Sequence, residues 1–191
     1  MRLFCNLFVL SFVTFSCSTA GFAQRAATDK APATIDVLGE GTLVVPEAFR
    51  QGQPRSRIVQ AEFVASAGEG DDKATARVYG MASGGGVEPN VRRWKDQFTD
   101  SPEGAFQRES MTVGDWKIEI VDHAGSFKDS MGGGPFAPGK TVIRDDHAMT
   151  GAILENKAGR LFFLKMIGPA DVVKANRKDF IKMIKTIGDE N

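Results

Sequence analysis

Hydrophobic and polar positions alternate along several short segments of the chain, and this period of two is typical of half-buried β-strands. Between Arg57 and Ala65, for example, Val59 and Phe63 fall on one face and Glu62 on the other. The same reasoning predicts strands at these segments: Thr42–Val45, Arg57–Ala65, Ala74–Met81, Glu109–Val113, Trp116–His123, Ala148–Glu155 and Arg160–Ile167. The last of these is apolar on both faces, so we expect it to be a central strand covered on both sides.

Two other segments repeat their apolar residues every three or four positions, which predicts amphipathic helices. The first helix is expected from about Glu88 to Phe98, with an apolar stripe formed by Val87, Val91, Trp94 and Phe98. The second is expected between Gly168-Pro169 and Gly188, because proline favours the first turn of a helix and glycine its end. Its apolar stripe contains Val173, Phe180, Ile184 and Ile187.

Short polar turns join neighbouring strands, which predicts local hairpins and therefore antiparallel pairing. The fold class is α+β: an antiparallel sheet of about six or seven strands with two main helices packed on it. Residues 41–191 are expected to form this single α+β domain, and 128–140 a loop within it. Residues 24–40, rich in alanine and threonine, are expected to be a flexible leader.

The first 23 residues predict a signal peptide. Arg2 precedes an apolar run, Leu3–Phe15, and small residues follow it, which is the order found in secretory signals. We expect cleavage before Gln24, with cleavage before Gly21 or lipoprotein processing at Cys17 as the alternatives. The protein is therefore expected to be exported, either periplasmic or secreted, with no transmembrane span in the mature chain.

Composition narrows the function classes. The 191-residue chain has 24 basic and 24 acidic side chains, so it lacks the basic excess of a nucleic-acid-binding protein. Both cysteines, Cys5 and Cys17, lie in the predicted signal peptide. The mature chain is therefore expected to have no disulfide, no cysteine nucleophile and no thiolate metal site.

Two segments carry the candidate chemistry, Asp122-His123 and Asp145-Asp146-His147, which contain the only histidines of the chain. Carboxylate and imidazole groups could bind a metal ion or act as acid and base. Neighbouring side chains of a strand point to opposite faces, however, and a solvent-exposed charged turn explains the second segment equally well. His123 falls on the polar face of its predicted strand, so we expect its side chain to be exposed.

Three further features have both a functional and a structural interpretation. Ser126 or Ser130 could complete a serine–histidine–aspartate set with His123, but the chain has no Gly-x-Ser-x-Gly turn. The glycine runs 84–86 and 132–134 could bind an anion or form a lid, although flexible connections explain them more simply. Trp94, Trp116 and Tyr79 could form a ligand platform, whereas their spacing favours core positions for the two tryptophans and exposure for Tyr79.

Three segments carry a resemblance to known proteins: PRSRIVQAEFVAS, VEPNVRRWKDQF and GRLFFLKMIGPADVVKANRKDFIKMIKTI. Their arrangement, which covers about residues 41–187, resembles that of uncharacterised exported bacterial proteins with a PsbP-like α/β sandwich. The resemblance implies a fold and an accessory or binding role, and no reaction. We therefore expect an exported non-catalytic domain that binds a protein partner or a cell-envelope component, without a cofactor or assigned site residues. The alternative is a small hydrolase or metal-dependent enzyme that uses Asp122-His123 and Asp145-Asp146-His147.

Overall fold

Strands make up most of the fold in the computed structural model, which describes residues 31–68, 73–131 and 140–188. The strands are β1 (Thr34–Val37), β2 (Gly41–Val44), β3 (Arg50–Gln51), β4 (Ala61–Ala67), β5 (Ala74–Ser83), β6 (Phe98–Thr99), β7 (Gln107–Val113), β8 (Trp116–Met131), β9 (Lys140–Glu155) and β10 (Leu161–Pro169). Helix α1 spans Val87–Lys95, and helix α2 spans Ala170–Lys185 and continues into a 3₁₀ turn, Thr186–Gly188.

All strand pairs of the described residues are antiparallel. Eight strands form one sheet in the order β3-β4-β5-β10-β9-β8-β6, with β7 also paired to β8, and β1 and β2 form a separate two-stranded ribbon. The predicted α+β class, with an antiparallel sheet and two main helices, is confirmed. The sheet has eight strands, one more than the six or seven expected, because the two-residue strands β3 and β6 are too short to show a hydrophobic pattern.

One face of the sheet, here called the α2 face, packs against α2 and the β1–β2 ribbon. Trp116, Ile118 and Ile120 of β8 point to this side, as their alternation predicts, and meet Phe180 and Ile184 of α2 in the larger hydrophobic core. The predicted stripe of α2 is therefore its buried side.

The opposite face, here called the α1 face, carries a second and smaller core under α1. Val91 and Trp94 of the helix pack with Phe163 of β10 in this core. The Trp94 ring meets Phe163 edge-on at 5.1 Å between centroids. It also lies over Gly151, where an added Cβ atom would be 2.5 Å from the ring, so glycine makes room for the indole. Strand β10 thus has cores on both faces, as its sequence predicts.

Strands β8 and β9 form a hairpin longer than the pattern predicts. The expected loop at 128–140 contains strand residues up to Met131, and β9 starts at Lys140 rather than near Ala148. The pairing of the two strands is irregular at one point. From the pair Gly125↔His147 to the pair Phe127↔Arg144, the chain moves two residues along β8 but three residues along β9. The extra residue in β9 forms a bulge at Asp145-Asp146, where Asp146 has φ = 51°.

The structure also differs from the predicted leader and from the predicted end of the first helix. Residues Thr34–Val37 pair with β2, and Ile35 and Val37 are buried, so the described part of 24–40 is not a flexible leader. Helix α1 ends at Lys95, and Phe98, although it belongs to β6, still packs in the predicted stripe. The predicted signal peptide, Cys17 and the glycine run 132–134 lie outside the described residues. Within the described ranges, no helix is long and apolar enough to cross a membrane.

Candidate functional site

The two predicted histidine segments lie on adjacent strands, but Asp122 and His123 serve different faces of the sheet. Asp122 points to the α2 face, where it accepts hydrogen bonds from Thr150 (2.7 Å) and from Nη2 of Arg177 on α2 (2.7 Å). These bonds tie α2 to the sheet. Asp122 is therefore engaged in a structural ion pair rather than directed at its neighbour His123.

His123 points to the α1 face and is buried, with 5% of its surface exposed, so the prediction that it faces solvent is wrong. The pattern assigned it to a polar face, but Phe98 and Phe106 cover that face here, with ring centroids 4.8 and 5.4 Å from the imidazole. Its Nδ1 atom is buried and has no hydrogen-bond partner among the described residues. Burial lowers the pKa of His123, and the positive charge of Lys95 lowers it further, although nearby backbone groups of Ala105 and Lys95 oppose the shift.

The second segment forms the bulge of β9 instead of a turn before a strand. Asp145 accepts a hydrogen bond from Ser126 (2.8 Å), and Nδ1 of His147 lies 2.9 Å from the backbone oxygen of Asp145. The His147 ring stacks beside Phe127 at 6.4 Å between centroids, and Phe127 in turn contacts Phe98, which contacts His123. Two phenyl rings therefore stand between the imidazoles. No group of three or more histidine, cysteine or acidic side chains in the described ranges is placed to hold a metal ion.

A different serine from those singled out in the sequence lies near His123. Ser126 is bonded to Asp145, whereas Oγ of Ser101 is 3.4 Å from Nε2 of His123. Both residues line an open cleft of about 430 Å³, together with Lys95, Asp96, Phe98, Thr99, Asp100 and Lys128. No sequence motif links positions 101 and 123, so this contact depends on the pairing of β6 with β8.

Sequence reasoning also missed the most unusual ionisable group, Lys165 in the middle of β10. Its side chain is 3% exposed, and its Nζ atom donates a hydrogen bond to Oε1 of Gln97 (2.8 Å) and lies 4.9 Å from the centre of the Trp94 ring. Burial lowers the pKa of Lys165 to about 7, and the charges of Arg93 and Arg77 act in the same direction. A single lysine inside the apolar run Leu161–Ile167 was the sequence signal that could have identified it.

Beside Lys165, the α1 face is open. A cavity of about 530 Å³, here called the groove, is lined by residues of β4, β5, β8, β9 and β10 and by the nearby Arg55 and Lys73, but by no residue of α1. The lining residues are Arg55, Glu62, Val64, Lys73, Ala74, Thr75, Ala76, Arg77, Tyr79, Phe127, Asp129, Arg144, His147, Ile167, Gly168 and Pro169. The groove therefore crosses the sheet over five neighbouring strands.

Glu62, Arg77 and Tyr79 form a fixed charged cluster in the groove. Arg77 donates two hydrogen bonds to the Glu62 carboxylate, at 2.7 and 2.8 Å, and its guanidinium lies 4.2 Å over the Tyr79 ring. Burial alone would raise the pKa of Glu62, but the hydrogen bonds from Arg77 and from the backbone of Arg55, with the charges of both, hold it below the ordinary value. The ion pair holds the Arg77 side chain in a defined position.

The remaining predicted features have structural roles. Trp94 and Trp116 are buried core residues, and Tyr79 is half-buried rather than exposed. The glycine run 84–86 precedes α1, and Asn90 of the helix donates hydrogen bonds to the carbonyl oxygens of Gly84 and Gly86. A third open cavity, about 640 Å³, lies near Trp116, Glu40 and Asn156 at the other end of β8.

The chain was also compared with known proteins. No protein-family model matches it, and no curated protein matches it.

Proposed function

We propose that this protein is an exported, non-catalytic domain that binds a protein partner or a cell-envelope component, and that the ligand docks in the groove. A PsbP-like sandwich, with the accessory role that such folds have, belongs to the same proposal. The observation that carries the proposal is the groove itself, an uncovered part of the α1 face beside the smaller of the two cores that cover the centre of the sheet.

The chemistry of the groove suits a ligand with both apolar and polar groups. Ile167 and Phe127 provide partly buried apolar surface, while Arg55 and Lys73 are exposed charged residues beside it. The volume of about 530 Å³ lies in the ordinary range of ligand sites. Because Glu62 holds Arg77 in place over Tyr79, these side chains would lose little conformational entropy when a ligand binds.

The five strands that line the groove also give its length. Adjacent strands are roughly 4.8 Å apart, so the distance across four strand spacings is about 19 Å. An extended peptide of about six residues covers that distance. A segment of a partner protein or an extended envelope polymer would therefore fit across the strands.

The test is site-specific photo-crosslinking in living cells. A photoreactive phenylalanine analogue replaces Thr75, an exposed residue of the groove, and in a matched control replaces Lys178, an exposed residue of α2. We expect an adduct of reproducible mass from position 75, identified by mass spectrometry as a protein or an envelope component. The same adduct from position 178 at equal yield, or adducts at 178 and none at 75, would contradict docking in the groove.

A second candidate, a small hydrolase, is favoured by one observation, the contact of Ser101 with His123. A serine hydroxyl within reach of a neutral imidazole is the minimal arrangement for nucleophilic catalysis. The lowered pKa of His123 keeps the ring neutral, although Nδ1 has no partner among the described residues to orient it.

A fluorophosphonate probe distinguishes the two candidates. If Ser101 is a nucleophile, its Oγ atom bonds to phosphorus, fluoride leaves and the hydroxyl proton passes to Nε2 of His123. Labelling that disappears in Ser101→Ala and persists in Ser110→Ala, a change at an exposed serine of β7, would favour the hydrolase. We expect no labelling of either serine.

A further inference from the structure

Two buried bases lie on the α1 face, and one stretch of chain covers both. This cover segment consists of residues 87–106, which include α1, β6 and the loop that follows. Trp94 and Gln97 of the segment contact Lys165, and Phe98, Ser101 and Phe106 contact His123. Neither base forms an ion pair with a carboxylate among the described residues. On the α2 face, by contrast, the charged group that contacts the helix is paired, because Asp122 forms a part-buried ion pair with Arg177.

The protonated form of each base has fewer acceptors than donors. A lysine ammonium has three N–H donors, and Gln97 Oε1 is the one hydrogen-bond acceptor that the described residues place at Nζ of Lys165. A protonated His123 would carry a proton on buried Nδ1, which has no hydrogen-bond partner among the described residues, and the backbone groups of Ala105 and Lys95 offset this only in part. Each unpaired buried donor destabilises the packed arrangement, so both protonations favour a state in which water reaches these groups.

The charges around Lys165 do not stabilise its protonated form. Arg93 of α1 and Arg77 of β5 are both positive, and Tyr79 of β5 is the neighbouring residue in the strand register. Burial raises the pKa of Tyr79, so its hydroxyl stays neutral. Glu62 of β4 bonds to Arg77, and β9 presents Gly151, which has no side chain.

The groups that contact the His123 ring are likewise not anionic, although the carboxylates of Asp96 and Asp100 and the ammonium of Lys128 line the same open cleft. Lys95 of α1 is positive, Ser101 is a hydroxyl, and Phe98 and Phe106 are apolar. On β9 the residue paired with His123 is Met149.

The cover segment is held to the sheet by few polar contacts. Strand β6 has two residues, of which Thr99 also donates a side-chain hydrogen bond to the backbone oxygen of Ser126 (3.3 Å). Lys128 on β8 donates hydrogen bonds to the backbone oxygens of Gln97 (2.8 Å) and Asp96 (3.1 Å). Among the described residues, the one ion pair of α1 with the sheet, Glu88 with Arg108 on β7, is exposed on the glutamate side. The N-terminus of α1 has no side-chain cap. Most of the attachment therefore comes from the smaller core, which includes the surroundings of both bases.

We propose that acidification releases the cover segment from the α1 face and thereby extends the groove toward Lys165, so that ligand binding depends on pH. The extension follows from the register, because Lys165 lies directly beside Tyr79 and two residues from Ile167, both of which line the groove. The part that concerns the ligand rests on the proposed function, whereas the release of the segment does not.

The direction of the effect follows from proton linkage. Lys165 titrates near pH 7 when covered and near pH 10.4 when exposed, so opening takes up a proton between these values. Opening therefore becomes easier by up to about tenfold for each pH unit as the pH falls from about 10 to 7. The lowered pKa of His123 adds a second increase as the pH falls below its ordinary value of 6.5.

Amide hydrogen exchange of the purified protein between pH 6 and pH 9, corrected for intrinsic rates, tests the release without any ligand. We expect the opening constant of residues 87–106 to rise toward low pH, while that of α2 stays nearly constant. In Lys165→Met the rise between pH 9 and 7 should disappear, and in the control Lys185→Met, a change at an exposed residue of α2, it should remain. An unchanged rise in Lys165→Met, or an equal rise in α2, would overturn the proposal.

Crosslinking from position 75 at pH 6 and pH 8 then tests the link to the groove. A higher yield at pH 6 that is lost in Lys165→Met supports the coupling. Equal yields at the two pH values, with a pH-dependent opening, would refute the coupling and leave the binding function intact. Failure of crosslinking at both pH values would instead count against the binding function.

Discussion

Replacing Trp94 with alanine removes the side chain that holds α1 to the sheet. Trp94 is 2% exposed and contacts Phe163, Gly151 and Lys165. A buried tryptophan covers roughly 150–250 Å², and at about 25 cal/mol/Å² this is worth about 4–6 kcal/mol. In the variant, water can enter the vacated space and hydrate Lys165, which offsets part of the lost stabilisation. We therefore expect the free energy of unfolding to fall by about 3–5 kcal/mol.

The assay is urea unfolding followed by circular dichroism at pH 8, with Trp116→Ala as the matched control on the α2 face. Both variants should lose stability, because both tryptophans are buried. Only Trp94→Ala should also bring the pKa of Lys165 back toward its ordinary value, and so weaken the pH dependence of opening in residues 87–106. A loss below about 1 kcal/mol for Trp94→Ala would refute the conclusion that this indole attaches α1 to the sheet.

Three further predictions concern other parts of the chain. Gly125 has φ = 152°, and an added Cβ atom there would lie 2.6 Å from the Thr99 backbone oxygen. Gly125→Ala should therefore lower the free energy of unfolding by about 1–3 kcal/mol in thermal or urea unfolding. The loss should exceed that of Gly39→Ala, because no atom lies within 4 Å of a Cβ atom added at Gly39. Because the pKa of Glu62 is lowered in the fold, its ionised form stabilises the protein above pH 4.5, and this contribution is lost as the pH falls through the lowered pKa. Glu62→Gln should therefore unfold more easily at pH 7, with a smaller difference from the wild type at pH 3. Intact-mass analysis of protein from the native envelope should give a chain that begins at Gln24, and a chain that begins at Met1 would contradict the signal peptide.

The sequence pattern predicted best the elements whose two faces differ. Trp116, Ile118 and Ile120 alternate with polar residues, and the second helix has proline and glycine at its ends, so both were identified with the correct buried side. The outer half of β9 was missed because its residues 140–146 are largely polar and the bulge interrupts their alternation. Thr34–Val37 was missed because it lies in a segment rich in alanine and threonine, whose composition indicated a flexible leader.

The candidate site was less predictable because it depends on which segment covers which face. Lys117, Glu119 and His123 have the same alternation, yet only His123 lies under Phe98 and Phe106. Nothing local to His123 distinguishes it from Lys117. The contact with Ser101 and the groove likewise arise from residues far apart in the chain, which periodicity does not relate to one another.

The bulge in β9 determines which charged side chain faces Phe127 in the groove. Its extra residue places Arg144 beside Phe127, among the groove-lining residues, whereas its neighbour Ile143 is about half exposed and is not among them. Deleting Asp146 alone would remove the bulge and leave residues 140–144 in their present register, with Arg144 still opposite Phe127. A regular strand of unchanged length would instead place Asp145 opposite Phe127, so the bulge decides whether a cation or an anion meets a ligand at this end of the groove.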